Sequence, residues 1–416
     1  MAVVRPFKAI RPTQHLADKV AALPYDVMNS DEARAITQGN PFSFLHVDKA
    51  EIDLDPAINL YDVRVYEKAR DNLNQMIREG VFVQDDSPCL YIYKQVMNGR
   101  AQIGVVGCTS VDEYIEGSIK KHELTRADKE QDRINHVDYC DANTGPIFLT
   151  YRKNCAIDAL VAKVMTEKQP EYDFVSDDGV VHTVWVVDCE ETIKRICHEF
   201  SCVESLYIAD GHHRSASAVR VGVMRRNEMG TYTGNEEFNF FLSVIFPDDQ
   251  LYIMDYNRLV RDLNGYSTVD FLAAVSEKFY IESTTEKNLE PAEKHSYGMY
   301  LSGKWYLLKA KEGSFDDTDP VARLDVSILQ NNLLQPILNI ADPRTDKRID
   351  FLGGIRGLQT LVDRVDSGEM SVAFSMFPTT MDDLMDIADA GAIMPPKSTW
   401  FEPKLRSGLF IHKLSD

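Results

Sequence analysis

The sequence predicts a mixed α/β protein of two to three domains, and three observations carry that prediction. Leu206-Tyr207-Ile208 is a short run of strand formers that meets Asp210-Gly211 and passes into an Ala/Val/Ser-rich helical segment reaching about Met224. Leu90–Lys94 and Ala101–Val111, separated by Asn98-Gly99, have the pattern of a β-hairpin closed by a favoured turn. Between 56 and 80, apolar residues recur at helical spacing (Leu60, Val63, Tyr66, Ala69, Leu73, Ile77), with Gly80 as the stop. A chain of 416 residues is long enough for more than one core.

The remaining elements follow in order. Short strands and turns are expected around Pro6, Pro12 and Pro24, with Tyr25-Asp26-Val27 in a loop. From Arg126 to Arg133 the chain is strongly charged and compatible with helix. Pro146–Tyr151 and Val180–Val187 are strand-like, Cys155–Lys168 and Glu190–Phe200 helical. Phe238–Pro247 is expected as a buried strand, Leu251–Met254 as the start of another, and Asp270–Lys278 as helix. Tyr297–Lys309 contains two strands around Ser302-Gly303. Asp325–Leu334 is helical up to Pro336, and Thr380–Ala390 is a helix with an acidic face. Gly222 is expected to weaken only the last turn of the central helix, and Gly353-Gly354 reads as a turn.

Composition narrows the function. A hydrophobic content of 44% with 26% charged residues is ordinary for a globular chain, and a formal net charge of −20 argues against nucleic-acid binding. No apolar run approaches the roughly 20 residues of a membrane span, and the N-terminus lacks a signal-peptide core. Seven cysteines with no CxxC pair imply reduced thiols and a cytoplasmic setting, and Cys197 and Cys202 are too isolated for a zinc site. The P-loop, protein-kinase and GxSxG signatures are absent, as is HExxH.

Three stretches carry chemistry. In Asp210-Gly211-His212-His213-Arg214, a strand-to-helix turn presents free backbone N–H groups beside a glycine. The helix dipole and the Arg214 fork favour an anion such as phosphate, while Asp210, His212 and His213 supply hydrogen bonds, a proton site or a metal contact. An ordinary turn with a capping aspartate is the simpler alternative. In the second stretch, His122-Glu123 follows Lys120-Lys121 at the entrance of the charged helix, where Glu123 is either a helix cap or a general base held near cations. In the third, Pro395-Pro396 presents Lys397, Ser398 and Thr399 on a stiff loop, a point charge with two hydroxyls suited to phosphate; a plain surface loop is the alternative.

Taken together and in this order, His122-Glu123, Asp210-Gly211-His212-His213-Arg214 and Pro396-Lys397-Ser398-Thr399 resemble the archaeal free-serine kinase family. The full-length layout with its MPPKST ending resembles domain-of-unknown-function family 1015 over nearly the whole chain. The resemblance implies a ParB-like nucleotide-binding core at 116–250, an N-terminal α/β domain at 1–115, and a C-terminal α/β region at 251–416. It implies Glu123 and Asp210 as catalytic, with Glu123 as base on the serine hydroxyl, and His122 on the substrate side. Gly211, His212, His213 and Arg214 would hold nucleotide phosphates, with Lys397, Ser398 and Thr399 adding phosphate contacts. The activity implied is Mg²⁺-dependent phosphoryl transfer between ATP or ADP and free L-serine, in either direction, with Asp210 as metal ligand. The chain departs from the kinases in a large insertion between His-Glu and the central turn, and in Ser398 where they carry a threonine-like hydroxyl. A nucleotide or phosphoester hydrolase and a non-catalytic nucleotide-binding module stay open as alternatives, as does homo-oligomerisation. The expected partners are a nucleotide and a small hydroxyl amino acid, with no nucleic acid and no membrane.

Overall fold

The computed structural model describes Ala2–Ser415. The chain forms two compact units, one from residues 1–251 together with 403–416, the other from 252–402. Both combine helices with sheet, so the fold is mixed α/β.

The first unit is organised on a nine-stranded sheet. Its strands run in the order Ile119–Lys120, Leu206–Asp210, Ile147–Tyr151, Phe240–Pro247, Arg100–Ser110, Leu90–Met97, Val181–Val187 and Tyr172–Val175, with Val4–Arg5 also pairing to Arg100–Ser110. Most neighbours are antiparallel. The exceptions are Ile119–Lys120 beside Leu206–Asp210 and Ile147–Tyr151 beside Phe240–Pro247, which are parallel. The hairpin expected at Asn98-Gly99 forms, with both residues at positive φ (52° and 79°), the backbone a two-residue turn of matching twist requires.

The sheet also answers the division expected at 115/116. Val105–Ser110 pairs with Phe240–Ile245, so strands from either side of that point share one ladder, and the compact-unit boundary falls after 251. The last residues return to the first unit. Ile411 bridges Ile10, Ser407 bridges Ala22, and His412–Lys413 pairs with Ala142–Asn143.

Two large apolar clusters and a smaller one around Ile134, Val221 and Phe238 hold this unit. Helices Cys155–Glu167 and Glu190–Ser201 bury Ile157, Leu160, Ile193, Ile196 and Phe200 against sheet residues Ile92, Leu149, Ile208 and Ile245. A second cluster joins Phe44, Leu45 and Val47 to Val65, Ala69, Leu73 and Met76, and to Ile411 from the returning tail. The last four of these before Ile411 line one face of helix Val63–Arg78, a face turned from the expected one: Ala69 and Leu73 are shared, while Val65 and Met76 are buried and Leu60 and Val63 are exposed. That helix begins later than position 56 because the Asp62 side chain accepts from the Arg64 amide and caps it there.

The second unit carries a six-stranded antiparallel sheet in the order Phe279–Thr284, Lys304–Ala310, Ser296–Leu301, Val372–Met376, Tyr256–Val260 and Ile349–Gly353. Leu259, Trp305, Leu361 and Ala373 are in its core. Leu251–Met254, expected to open a strand, does not: the strand starts at Tyr256, and Ile253 makes only an isolated bridge to Phe401. The helix at Asp325 widens into a π-turn over Gln330–Leu334 before Pro336. All seven cysteines are unpaired, and no helix among the described residues is long and apolar enough to cross a membrane.

The central helix runs from His212 to Met229, five residues past the expected end. Gly222 is therefore mid-helix, and its reason is packing. A Cβ there would stand 2.5 Å from the Phe238 carbonyl oxygen and 3.2 Å from Val111 Cγ2. Gly222→Ala gains about 1 kcal/mol in helix propensity but must push backbone apart, a strain of about 1–3 kcal/mol. We expect a lower melting temperature; an unchanged or higher one would mean that the contact relaxes without strain.

Candidate anion-binding and metal-ligating site

The site is built at one end of the parallel pair. Leu206 through Ala209 are buried, which anchors the strand in the sheet. Asp210 ends it, Gly211 turns the chain at φ 92°, and His212 opens the helix. Only glycine takes that left-handed conformation without strain. It is needed for space as well: a Cβ on Gly211 would lie 3.2–3.3 Å from the Arg214 guanidinium. With glycine at the N-cap no side chain caps the first turn, so its amides face the site as hydrogen-bond donors.

Asp210 is fixed from two sides. One carboxylate oxygen accepts from the Gly211 amide at 2.8 Å, and the other accepts from Lys404 Nζ at 3.0 Å. Burial opposes ionisation of this carboxyl, but the charges of Lys404 and Arg214 outweigh it and hold Asp210 well below the usual carboxylate range. Arg214 donates from Nη1 to the Pro146 carbonyl at 2.5 Å, which sets the plane of its fork. Its Nε is buried and has no hydrogen-bond partner among the described residues.

The histidines differ in what they can do. His213 Nε2 accepts from the Arg126 amide at 3.0 Å, so its proton sits on Nδ1, and this bond ties the 121–126 segment to the central helix. Burial lowers the His213 pKa and keeps the ring neutral. His212 and His122 are buried and meet edge to face, with ring centroids 4.5 Å apart at 83°. Burial drives His122 down to about 4 against the pull of Asp210, and burial together with His122 drives His212 well below its ordinary value. Glu123 is exposed, and its Oε2 lies 3.9 Å from His212 Nδ1.

Glu123 does not cap the charged helix. The helix it was expected to enter is Ala127–Cys140, with Arg126 at the N-cap, so Glu123 stands three residues ahead of the cap position. Asp210 is not a plain cap either, since the N-cap of the central helix is Gly211. Sequence reasoning thus identified residues that come together here: His122, Glu123, Asp210, Gly211, His212, His213 and Arg214.

Lys397, Ser398 and Thr399 belong to the second unit. Lys397 is exposed at φ 59°, its Nζ 5.5 Å from the Tyr256 ring centroid and its carbonyl accepting from Arg258 at 2.8 Å. The Ser398 hydroxyl is committed to the Pro395 carbonyl at 2.6 Å, and the Ser398 carbonyl accepts from Thr379. The lysine that meets Asp210 is Lys404, which sequence reasoning passed over. Its partner lies 194 residues away in the chain, and nothing local distinguishes it.

Also missed was a buried polar network behind Arg214. His136 and Asp48 both reach the Thr144 hydroxyl, at 3.1 and 2.9 Å, and Arg133 pairs with Asp132 at 2.9 Å. Tyr25, Asp48, Arg133, His136 and Arg214 line a small cavity of about 20 Å³, room for about one water.

The Lys404–Asp210 pair is testable by linkage. Lys404→Met leaves a part-buried carboxylate without the cation it hydrogen-bonds, with Arg214 still nearby, an expected loss of about 1–3 kcal/mol at pH 7. A depressed folded-state pKa stabilises fully above the unfolded value of about 4 and is lost as pH falls. The stability gap between wild type and Lys404→Met should therefore be full at pH 7 and shrink below about pH 4. A gap independent of pH in denaturant titrations would show that Lys404 acts by packing alone.

The chain matches the model of a family described as a protein of unknown function, DUF1015, over residues 4–327. Among solved structures it is similar to a mutant of free serine kinase in complex with AMP, at 13% identity and a TM-score of 0.37, covering 74% of this chain and 92% of that one. It is also similar to a conserved hypothetical protein from Pyrococcus furiosus, at 13% identity and a TM-score of 0.35, covering 74% and 94%. SbnI with a C-terminal truncation from Staphylococcus aureus aligns at 11% identity and a TM-score of 0.36, covering 73% and 85%. No curated protein matches. With more than half of its length matched by one family model, the chain belongs to the DUF1015 family.

Proposed function

We propose that this protein is a Mg²⁺-dependent phosphotransferase that moves a phosphoryl group between a nucleotide, ATP or ADP, and the hydroxyl of free L-serine. The observation that supports it is the turn at Gly211: an uncapped helix N-terminus, the Arg214 fork and Lys404 surround one point at the end of a sheet. Such a cradle binds phosphate through amide donors, dipole and cations at once. Serine as acceptor follows from the resemblance of the His-Glu and Asp-Gly-His-His-Arg motifs to the free-serine kinases.

Each residue has a task that its environment suits. The first-turn amides and the buried Nε of Arg214 donate to phosphate oxygens. His213, neutral with its proton on Nδ1, donates a hydrogen bond without adding charge. Lys404, held at Asp210, supplies a positive charge where negative charge collects. Glu123 is exposed beside the turn, where an incoming hydroxyl can reach it, and it accepts the serine proton. The serine Oγ–P bond forms as the bond from phosphorus to the nucleotide oxygen breaks, so proton and phosphoryl group are both accounted for. Phosphoryl transfer asks for positioning and charge neutralisation more than for covalent help, and this set of groups offers both.

The residues fit Mg²⁺ only as an ion delivered with the nucleotide. Asp210 offers a single carboxylate already engaged by Gly211 and Lys404, and Mg²⁺ commonly takes one or two carboxylates with phosphates and water as the rest. When bound, the ion would neutralise phosphate charge. We place the activity in the cytoplasm, in keeping with seven unpaired thiols.

The test is Glu123→Gln, which keeps size and most hydrogen bonds but cannot take the proton. With Mg²⁺, ATP or ADP and a panel of hydroxyl amino acids, ³¹P NMR should show O-phosphoserine from wild type. Turnover by the variant should be about 10²–10⁴-fold lower at similar nucleotide affinity. A fully active Glu123→Gln protein would contradict the base assignment. Nucleotide cleavage independent of any amino acid would make the protein a hydrolase instead.

A further inference from the structure

We infer that His122, Glu123 and His212 form a binding site for a divalent transition cation, with a donor set suited to zinc. The three residues each offer one ligand atom, and these atoms all lie within 4.8 Å of one another; among the described residues they are the only such group. Topology brings them together. Ile119–Lys120 runs parallel to Leu206–Asp210, in register Ile119 to Leu206 and Lys120 to Tyr207, so both strands deliver their following residues to the same end of the sheet. His122 and Glu123 follow one strand, Gly211 and His212 the other.

The second observation is independent of proximity. Both ring nitrogens of His122 and Nε2 of His212 are buried without a hydrogen-bond partner among the described residues. Buried polar atoms nearly always have partners, and two adjacent imidazoles that lack them need an explanation. Edge-to-face ring packing supplies apolar contact but satisfies no nitrogen. A cation ligated by one nitrogen of each ring would give each imidazole a partner, leaving the second His122 nitrogen as the one still unpaired among the described residues.

The chemistry selects the ion. Two imidazoles and one carboxylate form a set that zinc takes with a fourth position left to water or a ligand, at about 2.0–2.2 Å per bond. Ligands around such an ion stand roughly 3.4 Å apart, so side-chain rotation of about an ångström closes the set. Mg²⁺ prefers oxygen donors and strict octahedral geometry, which two buried imidazoles do not provide. Glu123 is exposed and gives the ion a way in.

This site does not rest on the phosphotransferase reading, although it draws on the same turn: both use the Glu123 carboxylate, and His212 opens the helix whose amides face the phosphate. An ion held there would claim the carboxylate, so occupancy and proton acceptance by Glu123 exclude one another.

The test uses the full chain, stripped of metal and without nucleotide, titrated with Co²⁺ as a spectroscopic probe and with Zn²⁺ by calorimetry. We expect one Co²⁺ per chain with the intense visible bands of low coordination, displaced by Zn²⁺ and not by millimolar Mg²⁺. Glu123→Ala, at an exposed position where folding is not at risk, should weaken Zn²⁺ binding by more than about tenfold. His212→Gln and His122→Gln should weaken it further, with the circular-dichroism spectrum as the check on folding. No Co²⁺ spectrum, Zn²⁺ affinity unchanged in a folded Glu123→Ala protein, or displacement by Mg²⁺ would each overturn the inference. Loss of phosphoryl transfer alone would leave these binding results in place and would count against the proposed function only.

Discussion

The ion pair between Lys404 and Asp210 joins the end of the central strand to a segment of chain almost two hundred residues later. It is set up by two constraints that meet at one turn. Gly211 takes a backbone conformation closed to other residues, which aims Asp210 out of the sheet and starts the helix at His212. The tail then crosses back into the first unit through Ser407, Ile411 and His412, which pair with Ala22, Ile10 and Asn143 and carry Lys404 to its partner. Arg214 completes the arrangement by lying over the bare Cα of Gly211 and donating to Pro146. With a Cβ at 211 the guanidinium would have to shift, and without the returning tail the aspartate loses the cation it hydrogen-bonds.

Charge is distributed unevenly around that turn, and the distribution has chemical meaning. Asp210 is kept ionised by two cations, while His122, His212 and His213 are kept neutral by burial. Positive charge at the turn therefore comes from Lys404 and Arg214 and from the helix dipole, and the imidazoles act as hydrogen-bond or metal donors. Glu123 stands where the two uses meet. An exposed carboxylate next to neutral imidazoles can take a proton from a hydroxyl or a share of a cation, and the two states are exclusive.

What the sequence revealed and what it hid have a common physical basis. Local chemistry was legible in part: Asn98-Gly99 closed its hairpin and the Asp-Gly turn opened its helix, while helix Val63–Arg78 buried Tyr66, Ala69 and Leu73 of the face its spacing marked but left Val63 exposed and Leu60 outside it. Strand pairing at long range was not, because period-two patterns mark a strand without naming its neighbour. That is why the ladder joining Arg100–Ser110 to Phe240–Pro247 crosses an expected boundary. Gly222 looked like a helix-weakening residue because its reason, the Phe238 carbonyl, is sixteen positions on. Lys404 was invisible for the same cause, while the prolines around Lys397 made that lysine conspicuous. Gly211, by contrast, declared itself, since its constraint is written in adjacent residues.

The account stands most directly on the claim that the turn at Gly211 is an anion cradle. Isothermal titration of ADP and ATP into wild type and Arg214→Ala, with Mg²⁺ present and folding verified by melting temperature, measures it. The account predicts that wild type binds nucleotide and that a folded Arg214→Ala protein binds it at least about tenfold more weakly, the loss of a charge-assisted fork. Equal affinity in the two proteins would contradict it.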